Sequence, residues 1–348
     1  MTNCTPEARA RLLLTGLAGT MAALAIASLC IGAVKIPPRE ILGALTGQGL
    51  DARFEGVLWQ LRLPRVLLGL LVGATLSVAG ALIQGLFRNP LADSGLIGVS
   101  SGAALGAVFV IVLGAVFFPG VGVLSSIALL PVAAFFGALV VTLFIQRLAA
   151  TSDYTPVATL LLAGVAVNAL VNAMIGLSTF LATDAQLRTL AFWTLGSLGN
   201  ADWKILGIAT LICVGLVVLA PLFGPLLNAL ALGEAEAGHL GFSVERAKKT
   251  SHHCVIAAGV GACVAFTGSI GFIGLVVPHL VRLWIGPDHR WLLPGSALLG
   301  AILLTAADTI ARTVFAPAEL PIGVITAACG GPFFLFMLLR QRQRALWT

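Results

Sequence analysis

Val66-Leu-Leu-Gly-Leu-Leu-Val-Gly-Ala-Thr-Leu-Ser-Val-Ala-Gly-Ala-Leu-Ile-Gln-Gly-Leu-Phe87 runs 22 residues without a charged side chain, between Arg65 and Arg88. A helix needs about 20 predominantly apolar residues to cross the hydrocarbon of a bilayer. The stretch therefore reads as a membrane span held between interface charges. Nine further runs bounded by charges, prolines or polar clusters bring the spans to ten: 12–34, 66–87, 95–114, 123–145, 157–180, 205–222, 253–269, 271–286, 292–313 and 321–339. The third, seventh and eighth are short or interrupted by glycine.

Composition points the same way. Charged residues are 10% of the chain against roughly 25% in a soluble globular protein. Hydrophobic residues are 59%, and the mean hydropathy is +1.04. So little charge cannot cover a soluble surface for 348 residues, and a disordered or collagen-like chain is excluded as well. The expectation is an all-α, polytopic membrane protein of about ten transmembrane helices. Leu12–Val34 follows Arg9 and Arg11 but is too long for the apolar core of a signal peptide, so it reads as the first helix.

An even number of spans puts both termini on one side, and basic residues choose the cytoplasmic side. With that orientation Arg9, Arg11, Arg88, Arg147, Arg246, Lys248, Lys249, Arg282, Arg290, Arg340, Arg342 and Arg344 lie inside, which is 12 of the 20 Lys and Arg. Five of the eight outside fall in the single segment 35–65. The net charge of +6 is thus an orientation signal at helix ends, with no patch for nucleic acid. Segment 35–65 reads as an outer excursion opening with a short surface helix after Pro37-Pro38. Segment 223–252 reads as one or two short inner helices outside the bilayer, and 181–204 as an outer connection with Trp193 and Trp203 in the aromatic belt.

Catalytic chemistry is missing. There is no Gly-x-Ser-x-Gly elbow, no His-Glu-x-x-His and no spaced Cys/His set for a metal. No glycine directly precedes Lys35, Lys204, Lys248 or Lys249, so the P-loop is absent and any ATP use belongs to another chain. The six cysteines lack CxxC spacing and read as buried thiols. Within the spans Asp308 and Arg312 stand one turn apart and can pair. Asn168, Asn172 and Gln84 either bind helices together or line a path. His252, His253 and His279 are interface or span histidines with ligation as the sharper alternative. Gly69/Gly73 and Gly98/Gly102/Gly106 form small-residue faces, for packing within one subunit or for a dimer seam. Arg62 and Arg65 are fixed charges on the outer side, either solvated or facing an acidic partner surface.

Several separated motifs in consistent order resemble the FecCD family, the permease subunits of type II ABC importers for iron-siderophores, haem and cobalamin. They are Arg62-Leu-Pro-Arg65, Gly80-Ala-Leu-Ile-Gln-Gly-Leu-Phe-Arg-Asn-Pro-Leu-Ala92, Gly95-Leu-Ile-Gly-Val-Ser-Ser-Gly102, Gly233-Glu-Ala-Glu-Ala-Gly-His-Leu-Gly241, Gly271-Phe-Ile-Gly-Leu-Val-Val-Pro-His279, Leu293-Pro-Gly295, Ala307-Asp-Thr-Ile-Ala-Arg312 and Glu319-Leu-Pro-Ile-Gly323. The resemblance implies a single transmembrane permease domain over 1–348, in the bacterial inner membrane. It implies a homodimer with one path at its axis, two cytoplasmic ATPase subunits that carry the ATP and magnesium, and one periplasmic binding protein. It assigns ATPase coupling to a segment of about 233–250, through Glu234, Glu236, Ala237, His239, Leu240 and Gly241. Binding-protein docking falls to Arg62, Arg65 and Arg312, and an inner gate to Asn89, Pro90 and Leu91. The segment around Thr155–Thr159 departs from the family's second gating position. Phe192-Trp193-x-Leu-Gly-Ser197, Gly286-Pro-Asp-His-Arg290 and Ala316-Pro-Ala-Glu-Leu-Pro321 look closest to the haem-importing branch. Siderophore or cobalamin import is the alternative within the family, and an ion-coupled carrier using Asp308 the alternative from another class.

Overall fold

The computed structural model describes residues 5–46, 51–114, 123–150, 156–244 and 252–345. Helices α1 (Pro6–Cys30), α3 (Ala52–Leu86), α4 (Val99–Leu113), α5 (Val123–Ala149), α6 (Val157–Phe180), α8 (Trp203–Leu230), α10 (His252–Thr267), α11 (Ile273–Ile285), α12 (His289–Ala311) and α13 (Ile322–Ala345) are the ten crossings. Six are long and apolar enough to span by themselves, and the shorter apolar helices Val99–Leu113, Ile256–Thr267, Ile273–Ile285 and Ile322–Met337 supply the other four. Among the described residues, the short α-helices α2 (Pro38–Thr46), α7 (Asp184–Leu195) and α9 (Glu234–His239) and a 3₁₀ turn at Ser94–Ile97 lie between them.

The central helix is α3. It packs against α12, α11, α8, α10 and α1, and α12 in turn packs against α1, α11 and α13. A second group, α4, α5 and α6, joins the first through α10. The outward side chains are large and apolar, such as Leu162, Leu170 and Phe180 on α6 and Leu211 and Val218 on α8. Such a surface suits lipid and would be an association hazard in water.

Lipid gives helices no hydrophobic reason to associate, so close backbone approach has to supply the contact. A side chain on Gly73 would run into the carbonyl of Gly300, and one on Gly80 into the carbonyl of Gly274. Gly102 and Gly106 press in the same way on Gly137 and Ala133 of α5. Ser77 adds a hydroxyl bridge, donating to the Gly73 carbonyl of its own helix and the Ser296 carbonyl of α12 at 2.7 Å each. Gly73, Gly102 and Gly106 are therefore spent on contacts inside the chain.

Several expected boundaries change. The first span ends at Cys30 rather than Val34, because Ile31 turns extended and Arg62 takes up the last carbonyls of α1. Segment 35–65 is an excursion only as far as Asp51, whose side chain caps the start of α3 by accepting from the Arg53 amide at 3.0 Å. From Ala52 the helix runs unbroken into the second span. Pro64 is tolerated because Val57–Arg62 form a π-turn, whose wider register makes room where proline lacks a donor and would crowd the preceding turn. On the inner side, α8 continues through a 3₁₀ turn at Ala220–Phe223 into Gly224–Leu230. That extension packs on α3 and α12, so part of 223–252 belongs to the bundle.

Gly73→Val would insert two methyl groups against the α12 backbone. We expect a loss of about 1–3 kcal/mol, seen as a lower thermal unfolding midpoint in detergent, while substitution at open Gly207 should leave it unchanged.

Candidate functional site: a buried arginine cluster outside and a capped turn inside

The first turns of α3 deliver Arg62 and Arg65 to the outer end of the bundle. Arg62 is buried and donates to the carbonyls of Leu29 (2.6 Å), Cys30 (3.2 Å) and Val34. The Leu29 and Cys30 carbonyls lie at the negative end of α1, where a cation is favoured. Arg312, at the end of α12, does the same for the Ser28 carbonyl and also donates to the Ser28 hydroxyl at 2.6 Å. Both arginines thus clamp the outer end of α1.

Asp308 holds the cluster together. Arg65 donates to it from Nε at 3.0 Å and Nη2 at 2.9 Å, whereas Arg312 Nε stands 3.8 Å away. The expected pair along α12 is therefore secondary, and the stronger partner comes from α3. Arg65 also forks onto Glu319, with Nη1–Oε1 and Nη2–Oε2 both 2.9 Å. Glu319 lies in the α12–α13 connection, outside the spans, and the guanidinium of Arg65 holds its carboxyl below the ordinary carboxylate range. Three arginines against two carboxylates leave one net positive charge. The sequence motif that contains Glu319 gives it no role, and nothing in the sequence points to Ser28, because their partners stand 254 and 284 positions away.

At the inner end Arg88, in the left-handed region (φ 49°), ends α3 and starts the turn expected to be the gate. Asn89 Oδ1 accepts the Leu91 amide at 2.9 Å, and Asp93 Oδ1 accepts the Gly95 amide at 2.8 Å. These local bonds preset the Asn89-Pro90-Leu91 turn. Arg88 Nη2 lies 3.9 Å from Glu234 Oε1 on α9, so the turn and the expected coupling helix touch. Of the residues expected to couple, Ala237 is fully buried and anchors α9, while Glu236, His239, Leu240 and Gly241 are exposed. Residues 245–250 of that segment, with Thr155, lie outside the described residues. Nearby, Asp288 caps α12 by accepting the Arg290 amide at 3.0 Å, and its carboxyl is pulled down to about 2, chiefly by the Arg290 side chain. Any stability this bond adds is present above the ordinary value of 3.8 and fades as pH falls through about 2.

The other polar residues sort out plainly. Gln84 donates to the Leu275 carbonyl of α11 at 3.1 Å, and Asn168 to the Gly95 carbonyl at 3.0 Å while accepting from Ser101. Both join elements of the bundle. Asn172 is exposed. His279 packs edge-on to Phe333 with ring centroids 6.2 Å apart. The side chains of His252 and His253 lie outside the described part. Among the described residues no group of three metal-ligating side chains comes together.

A bundle of ten apolar helices with its charges gathered at the two ends is the build of a multi-pass membrane transporter. The chain matches the model of the FecCD transport family over residues 20–340 and belongs to that family. It is 45% identical over 335 residues to the hemin transport system permease protein HmuU of Yersinia pestis, covering 96% of this chain and 97% of that one. It is 41% identical over 340 residues to the vitamin B12 import system permease protein BtuC of Klebsiella pneumoniae, covering 97% and 96%. A solved structure described as an inward-facing conformation of a metal-chelate type ABC transporter superposes with a TM-score of 0.82 at 30% identity, over 95% of this chain and 99% of that one. The protein is thus a multi-pass inner-membrane permease subunit of an ABC importer, a machine that works with ATPase subunits and a binding protein.

Removing one member of the buried ion cluster leaves the others uncompensated. Asp308→Asn is expected to cost about 3–5 kcal/mol, read as a fall in unfolding midpoint, and Glu319→Gln clearly less because the Glu319 side chain is 44% exposed.

Proposed function

We propose that this permease moves haem from periplasm to cytoplasm, as one half of a homodimer with the path at its axis. The observation that carries the cargo assignment is the 45% identity to a hemin permease along nearly the whole chain. The 41% identity to a vitamin B12 permease keeps cobalamin as the second reading, with ferric siderophores beside it. No bond chemistry is asked of this chain. ATP and magnesium are used on the two ATPase subunits, and the permease converts their motion into a change of access.

The division of labour follows from the two ends. At the outer end, Arg62, Arg65 and Arg312 supply the positive surface on which acidic residues of the binding protein dock. Arg65 is the member with donors turned to an exposed partner; Arg62 and Arg312 hold the α1 end and contribute field. At the inner end, the exposed side of α9 seats in the ATPase, with Leu240, 62% exposed, as the apolar contact. Motion of α9 reaches Asn89, Pro90 and Leu91 through its contact with Arg88.

The decisive experiment is reconstitution of the permease with its neighbouring ATPase in liposomes, adding the neighbouring binding protein with and without haem. Stimulated ATP hydrolysis together with haem entry is the expected result. Stimulation without haem entry would shift the cargo to cobalamin or a siderophore, and uptake driven by a proton gradient alone would favour a carrier using Asp308. Leu240→Asp with Glu234→Lys should separate hydrolysis from transport; a normal ratio of the two would count against the coupling assignment. Arg65→Gln should weaken docking of the binding protein, and the deficit should shrink at high salt because attraction between the two charged surfaces is screened.

A further inference from the structure

The donors of Arg65 are divided between two carboxylates of different standing. Nε and Nη2 hold Asp308, which is buried on the long helix α12. Nη1 and Nη2 hold Glu319, whose side chain is 44% exposed and stands in the connection between α12 and α13. A guanidinium offers a carboxylate a planar fork, and Glu319 fills the outward one here. That fork is the one an acidic residue arriving from the periplasm would use. The site is therefore already occupied from within, by a group with the chemistry of the expected partner.

Glu319 has a second connection. It lines a cavity of about 400 Å³ together with Phe192, Trp193, Ser197 and Asn200 of the α7 region. The connection that carries it is closed into a loop by the Leu320 amide donating to the Ala311 carbonyl, and the start of α13 is tied beyond it by the Ile322 amide donating to the Gly196 carbonyl, each 3.0 Å. Within that closed loop the Glu319 side chain is held by Arg65 alone among the ion pairs of the described residues. Asp308 would keep Arg65 in place if Glu319 let go.

We propose that Glu319 is an exchangeable internal occupant of the Arg65 fork, displaced by a carboxylate of the docking binding protein and released toward the rim of the α7 cavity. This rests on the reading of Arg65 as a docking residue. Glu319 lowers the affinity of the outer face for its partner while the site is empty, and its release is the first change that docking makes in the permease. Exchange of one carboxylate for another also explains how a tight contact can form and still be undone in each cycle: the outgoing partner group is replaced by one that never leaves.

The test measures binding of the neighbouring binding protein to the nanodisc-embedded permease–ATPase complex, in wild type and variants at several salt concentrations. Glu319→Gln frees the fork and should tighten binding about two- to fivefold, as expected for one partly exposed ion pair. Glu319→Asp keeps the charge and should bind like wild type. In an Arg65→Gln background Glu319→Gln should bring no gain. Docking that Glu319→Gln leaves unchanged or weakens, in a complex that stays folded at the assay temperature, overturns the exchange while leaving the docking role of Arg65 intact. A gain that persists without Arg65 also overturns it. Failure of the wild-type complex to bind at all removes both the docking reading and the exchange.

Discussion

A carboxylate buried near the membrane boundary cannot be left alone, and Asp308 organises the outer half of the protein around that constraint. Its charge draws Arg65 from α3 and Arg312 from its own helix, and the second of these continues to the end of α1. Taking ions out of water is so costly that only full pairing makes them tolerable, and the pairing need not add stability to be indispensable. What it gives is position: α1, α3 and α12 meet in one register at the outer rim because any other register would strand a charge. The spare positive charge of the cluster is then a fixed feature of the surface rather than the average of mobile side chains.

The middle of the bundle works on a different principle. Between Gly73 and Gly300, and between Gly80 and Gly274, backbone meets backbone with nothing in between. Contacts of that kind resist sliding, so α3, α11 and α12 move together or not at all. The helices break at Gly268 and at Phe272, both in the left-handed region between α10 and α11. The Asn89–Leu91 turn sits directly below the rigid group and beside α9, so a push from the cytoplasmic side meets a stiff rod above a preset bend.

Much of this was legible beforehand. Charges and prolines between apolar runs placed all ten spans, and 157–180 coincides with α6. The runs 95–114, 253–269 and 271–286 are short or interrupted by glycine, and they correspond to shorter helices. The continuation of α3 back to Ala52 was hidden, because Arg53, Glu55, Arg62 and Pro64 carry the composition of a loop, and only a π-turn reconciles them with a helix. The cluster at Asp308 was half visible. A turn-spaced Asp and Arg in one span announces itself, whereas Arg65 and Ser28 can be found only by knowing which helices are neighbours. Asn168 and Gln84 were ambiguous for the same reason: polar atoms in a span show what they need, and the fold decides who supplies it.

The clamp on α1 also has a dimension in time. Ser28 leaves the ribosome 284 residues before Arg312 does. At chain growth of about 5–20 residues per second, the outer end of the first helix waits on the order of 15–60 s for the last hand that closes on it. Arg62 arrives within the first few seconds and covers the Leu29 and Cys30 carbonyls meanwhile. The newborn protein thus has an early, provisional seal and a late, final one. A chain cut short before α12 would lack the Arg312 donor and keep an incompletely capped helix end.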